Sequence, residues 1–167
     1  MKSILRSVVA VLIFASSLAA LPVIGLPYYP LRVTALQNQY GIQMVEIDIK
    51  PGKDPNRIEI ESEDDGKIPV AILSTFNFDA SKQVDRNSLT FGRTGDEDTL
   101  HRRGRKSIPN CNVRDVNHDG LRDLVCRFLA RKTGFQPGDT EGILKGQTGD
   151  GVRIEGHDSV QIGGEDD

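Results

Sequence analysis

The chain has 167 residues, a formal net charge of -3, no Trp and only 5% aromatic residues. An acidic balance without a basic stripe excludes general nucleic-acid binding. About 140 residues lie beyond the N-terminal apolar segment, enough for one domain with a real core.

Lys2 and Arg6 form a positive n-region, Ser7 to Leu18 is almost wholly apolar or small, and Ser17-Leu18-Ala19 offers small residues for cleavage. That pattern predicts a secretory signal peptide over residues 1–19. Apolar character continues to Leu26, which leaves a membrane anchor as the alternative. Pro22, Gly25 and Pro27 interrupt a spanning helix, so no stable membrane anchor is expected. Loss of Lys2 and Arg6 moves the formal charge from -3 to -5. Residues 20–40, with Pro22, Pro27 and Pro30, read as a linker.

A domain is expected over residues 41–163, followed by an acidic tail at 164–167. Residues 42–49 end in strict alternation, Val45, Ile47 and Ile49 against Glu46, Asp48 and Lys50, and Pro51-Gly52 stops the strand. Arg57 to Glu61 alternates in the same way, and Asp64-Asp65-Gly66-Lys67 is a turn by composition. Ile68 to Ser74 is a continuous apolar run of buried-strand length. Ala80 to Asn87 has room for one helical turn, and Ser88 to Phe91 is a short strand.

Residues 92–110 mix Asp96, Glu97 and Asp98 with His101, Arg102, Arg103, Arg105 and Lys106. Adjacent opposite charges weaken any single-sign field, so a solvated loop is expected rather than an anion-binding patch. Asn112–Arg114 and Leu124–Phe128 can pair around an acidic loop. Glu141–Gln147 and Val152–Glu155 form a candidate hairpin across Gly149-Asp150-Gly151, and Ser159–Ile162 is a last strand. Short strands punctuated by turn residues predict an all-β fold, an antiparallel β-sandwich.

The most informative stretch is Asp115-Val-Asn117-His-Asp119-Gly120-Leu121-Arg-Asp123. Oxygen-bearing side chains at every second residue, a Gly at the sixth position and an Asp at the ninth reproduce the spacing of a Ca2+ loop. Asp115, Asn117, Asp119 and Asp123 are the candidate side-chain ligands, and Leu121 the backbone carbonyl donor. The alternative is an Asn/Asp/Gly turn of the kind that commonly joins strands. The loop resembles the calcium loops of dockerins and other extracellular aspartate-rich loops. It departs from the helix-loop-helix pattern at position 12, where a bidentate Glu is required and Cys126 stands. A strand-loop-strand site, completed by water or by a distant carboxylate such as Asp139 or Glu141, follows.

Cys111 and Cys126 flank the loop. Export and even parity favour a disulfide over two buried thiols, and two Cys without a nearby His pair do not make a zinc site. If Val113 faces Leu124, the same register sets Cys111 opposite Cys126.

A wider resemblance rests on several motifs in order: Ile47-Asp-Ile-Lys-Pro-Gly52 with Pro55-Asn56, Ile68-Pro-Val-Ala-Ile-Leu73, Asp115-Val-Asn-His-Asp-Gly120, Gln136-Pro-Gly-Asp-Thr-Glu141 and Glu155-Gly-His-Asp-Ser-Val160. Together they resemble a module of secreted bacterial proteins, matched over about residues 45–162. The resemblance implies export and a non-catalytic accessory role.

Nothing in the chain spells out an enzyme. GxSxG, HExxH and a phosphate-binding glycine loop are all missing. His157, Asp158 and Ser159 are adjacent, but neighbours on a strand face opposite ways and cannot form a relay. Asp139 and Glu141 leave a carboxylate-dependent hydrolase as one alternative. A carbohydrate-binding module is another, weakened because Tyr28, Tyr29 and Tyr40 all precede the domain. The expected partner is an extracellular protein or a glycan.

Overall fold

The computed structural model describes residues 41–60 and 66–163. The predicted signal peptide (1–19), linker (20–40) and acidic tail (164–167), and the first half of the Asp64–Lys67 turn, lie outside them. Twelve strands are described: β1 (Ile42–Met44), β2 (Ile47–Ile49), β3 (Arg57–Glu59), β4 (Lys67–Ile72), β5 (Thr90–Gly92), β6 (Arg102–Arg103), β7 (Ile108–Pro109), β8 (Cys111–Arg114), β9 (Asp123–Leu129), β10 (Glu141–Gln147), β11 (Arg153–Ser159) and β12 (Gln161–Gly163). One helical turn, α1 (Ala80–Gln83), follows β4.

The fold is all-β and sandwich-like, as the spacing of short strands predicts. One four-stranded sheet runs β1-β11-β10-β5, the other β2-β4-β9-β8. The period-2 pattern explains the facing of the second sheet. Ile47, Ile49, Ile68, Val70, Ile72, Leu124, Cys126 and Phe128 share the core, while Asp48, Asn112, Arg114 and Arg127 alternate away from it.

The first sheet supplies small residues to the same core. A Cβ added at Gly142 would lie 2.8 Å from Ile49 Cδ1, one at Gly146 2.8 Å from Leu89 Cδ2, and one at Gly156 2.6 Å from Ile47 Cγ2. These three glycines admit the bulky aliphatic side chains opposite, which is how a strand glycine comes to be useful despite its entropic cost. Phe91 meets Phe128 at 5.1 Å and Phe135 edge-on at 5.9 Å, closing the centre.

Three expectations are corrected in detail. The single strand expected over residues 42–49 is two, because the chain changes sheets: Val45 N–H donates to Glu155 of β11, then Leu73 N–H donates to Glu46. β1 then runs parallel to β11, and in a separate two-stranded sheet β12 runs parallel to β3, so parallel pairs accompany the antiparallel ones. The second strand of the candidate hairpin, expected over 152–155, runs further, as β11 through Gly156 to Ser159, and the last strand, expected over 159–162, is β12 at Gln161–Gly163.

Within residues 92–110 the chain also builds the small β6–β7 hairpin. The segment before it adds to β9, with His101 N–H donating to Arg127 and Leu129 N–H to Thr99. Two of the acids of this stretch are engaged away from the hairpin. Asp96 pairs with Lys145 at 3.0 Å, and Glu97 accepts from the Thr94 hydroxyl at 2.9 Å.

Candidate metal centre

β8 and β9 form a hairpin in which Val113 faces Leu124 and Cys111 faces Cys126. The register anticipated from the sequence holds, and Cys111 and Cys126 are disulfide-bonded with their Cα atoms 4.1 Å apart. Asn110 and Arg127, the next pair along, share a backbone hydrogen bond of 3.1 Å, so the cysteines occupy a non-hydrogen-bonded pair, where strands approach most closely.

Residues 115–122 close this hairpin, and their side chains satisfy the loop's own backbone. Asp115 accepts the N–H of His118 at 2.7 Å and of Gly120 at 3.0 Å. Asn117 Oδ1 accepts the N–H of Asp119 at 3.3 Å, while its Nδ2 donates to Asp119 Oδ2 at 2.9 Å. Asp119 Oδ1 accepts the N–H of Leu121 at 2.7 Å. Asx side chains that capture nearby N–H groups are the local chemistry that makes Asp and Asn turn formers. Gly120, at φ +87°, supplies the left-handed turn that the sixth position requires. His118, at φ +64°, is left-handed as well, which the motif does not announce.

Asp123 differs from the other three. It is fully buried, its Oδ1 accepts the N–H of Ser74 at 2.8 Å, and its Oδ2 accepts the N–H of Val116 at 2.9 Å. The carboxylate therefore ties the end of the loop to the end of β4. Each oxygen keeps a second lone pair. Ser74 completes the bracket: its hydroxyl donates to the Arg122 carbonyl at 2.8 Å and accepts the N–H of Ala80 at 3.0 Å. One buried serine thus joins β4, the loop and α1. Sequence reasoning missed it, since a Ser at the end of an apolar run carries no motif.

The structure brings Asp115, Asn117 and Asp119 together over one turn. Among the described residues no group of three or more His, Cys, Asp or Glu side chains stands close enough to hold a metal ion in this arrangement. The distant carboxylates considered as extra ligands are engaged elsewhere. Asp139 accepts from Gln136 N–H at 2.8 Å and pairs with Arg93 at 3.3 Å, and Glu141 pairs with His157 at 3.3 Å. Asp48 does lie within electrostatic reach of Asp123. Burial raises its pKa above the usual carboxylate value, and repulsion from Asp158 and Asp123 raises it further.

The motifs behind the wider resemblance also meet in space. Asp158 accepts the N–H of Ile49 at 2.8 Å and the side-chain amide of Asn56 at 3.1 Å, and that amide also donates to the Ser159 carbonyl at 3.0 Å. The first and last motifs thus seal the edge of β2. That is an architectural role, met by satisfying an otherwise open N–H.

His157 faces the other way from Asp158, as strand alternation requires. Its Nε2 lies 2.8 Å from Glu155 and its Nδ1 3.3 Å from Glu141. Burial works to lower its pKa, but the hydrogen bonds to Glu155 and Glu141 outweigh it and hold the imidazolium above its ordinary value. The sign follows from linkage: this clamp stabilises fully below the unfolded pKa, and its contribution is lost as pH rises through the higher folded value. A His157→Gln variant is expected to lose that pH dependence. Melting temperatures from about pH 5 to 8, read with an NMR titration of the ring, check it; identical slopes for both proteins would remove the clamp.

Comparison with protein-family models, with curated proteins and with solved structures found no match.

Proposed function

We propose that this chain is an exported, non-catalytic module whose Asp115–Asp123 loop is stabilised by Ca2+, serving a structural or adhesive role outside the cytoplasm. The observation that carries the reading is the convergence of Asp115, Asn117 and Asp119 over a turn closed by Gly120 and stapled behind by Cys111–Cys126. Hard carboxylate and amide oxygens at positions 1, 3 and 5 suit Ca2+, with Leu121 offering a carbonyl and Asp123 a remaining lone pair.

Binding would require the Asp115, Asn117 and Asp119 side chains to turn from neighbouring N–H groups toward the ion. Three carboxylates around one divalent cation leave one net negative charge, and the incomplete shell places the affinity at roughly 10⁻⁴–10⁻³ M. Export is supported by the signal-like residues 1–19 and by the disulfide, which persists in oxidising compartments. Among the described residues no helix is long and apolar enough to cross a membrane.

Calcium at about 10 mM is expected to stabilise the protein by roughly 1–3 kcal/mol through mass action at such an affinity. Asp119→Ala is expected to abolish that gain while leaving the melt in chelator nearly unchanged, because Asp119 is exposed and outside the buried bracket. Differential scanning calorimetry in CaCl2 and in EDTA decides it. Superimposable melts of the parent protein would reject the calcium reading.

A further inference from the structure

Phe76 is 97% exposed. It stands in a tight turn that Thr75 and Phe78 close with reciprocal backbone hydrogen bonds of 2.8 and 3.2 Å. A single exposed apolar side chain is ordinary. What surrounds this one is not. Phe76 and Leu121, itself 37% exposed, line one open cleft of about 340 Å3 together with Asn77, Gln83 and Arg122.

The polar groups of the cleft have unused capacity. Gln83 Oε1 accepts the Asp79 N–H at 2.7 Å, which leaves the two donors of its NH2 group unused by that bond. The side chains of Asn77 and Arg122 are exposed and make no hydrogen bond or ion pair among the described residues. The one carboxylate in the lining, Asp79, is already paired with Lys82 at 2.8 Å. Both walls are held: Ser74 binds the Arg122 carbonyl on one side and the α1 N-terminus on the other.

This combination decides between partner classes. A protein interface needs about 800 Å² on each side with an apolar centre, and two apolar side chains ringed by amides and a guanidinium do not supply it. A sugar ring matches better: its C–H face lies on an aromatic ring, and its hydroxyls bridge side-chain amides. An unpaired guanidinium adds a preference for carboxylate, which it grips in a forked pair. We propose that the cleft between the Phe76 turn and the Asp115–Asp123 loop binds an oligosaccharide that carries carboxylate groups. The sugar stacks on Phe76, its carboxylate sits on Arg122, and its hydroxyls reach Asn77 and Gln83.

The inference stands apart from the calcium reading, because Ser74 anchors Arg122 through protein bonds alone. The test is therefore run in EDTA. The full chain is titrated calorimetrically with hexagalacturonate and with cellohexaose, its neutral counterpart, at about 0.15 M salt to screen diffuse attraction. Hexagalacturonate is expected to bind about tenfold more tightly than cellohexaose. Phe76→Ala is expected to weaken it about tenfold, and Arg122→Gln about fivefold, with melting temperatures unchanged because both side chains are exposed. Equal affinity for the two sugars, or full affinity in Phe76→Ala, would overturn the proposal. So would a dimer in sedimentation velocity that Phe76→Ala dissolves, since the cleft would then belong to a second copy.

Discussion

Asp123→Ala is expected to cost about 3–5 kcal/mol of stability, and to cost it in EDTA as fully as in calcium. The side chain is wholly buried and satisfies two backbone N–H groups, those of Ser74 and Val116, which belong to separate elements. Its removal leaves both donors unpaired, the Ser74 N–H in a buried setting and the Val116 N–H in a half-buried one, each at a penalty of about 1–3 kcal/mol, and opens a void beside them. Asp123→Asn is expected to fall between, since one oxygen remains but an NH2 group now confronts an N–H. Urea unfolding in chelator measures both. A loss under about 1 kcal/mol for the alanine variant would mean that Asp123 does not bracket the loop and β4. The contrast with Asp119→Ala, silent in chelator, separates the two acids that one motif groups together.

Removing the disulfide with Cys111→Ala/Cys126→Ala is expected to lower stability by about 3 kcal/mol. That is the loop-closure entropy for a cross-link of this span, whose cysteines are 15 residues apart. Cys126 is nearly fully buried, so the lost sulfur adds a small packing cost. For a domain of this size the melting temperature is expected to fall by about 10 °C. Calorimetry of the variant, and of the parent protein with and without reductant, reads it. A shift of under about 2 °C would show that the paired strands hold the hairpin without the staple.

Local pattern carried much of the fold into view. The alternation in residues 47–49 and 57–59, the apolar run from Ile68 and the paired segments around the acidic loop all became strands, because a pleated backbone sends successive side chains to opposite faces. The hairpin register followed from one hydrophobic match, Val113 with Leu124, and that match set the cysteines across from each other. The loop motif was legible because Asx spacing and a turning Gly act over a few neighbouring residues.

Other features depend on residues far apart in the chain. The split of residues 42–49 between two sheets has no local signature, since alternation is the same whichever strand is alongside. The parallel partners of β1 and β3 are likewise chosen by the tertiary path. In residues 92–110 the mixed charges read as self-cancelling, yet Asp96 reaches across to Lys145, 49 residues on, while Arg102 bonds to Asn87.

By itself, then, the sequence determined the strand-rich class, the disulfide and an oxygen-rich turn of defined spacing, because each arises from contacts within one strand, one turn or one hairpin. Only the tertiary structure decided that Asp123 belongs to a buried bracket with Ser74, that Asp158 seals β2, and that Phe76 opens onto Arg122. Those outcomes join segments 49 or more residues apart, or expose a side chain that composition would bury. Burial and hydrogen-bond partnership are properties of the packed chain, and no local pattern encodes them.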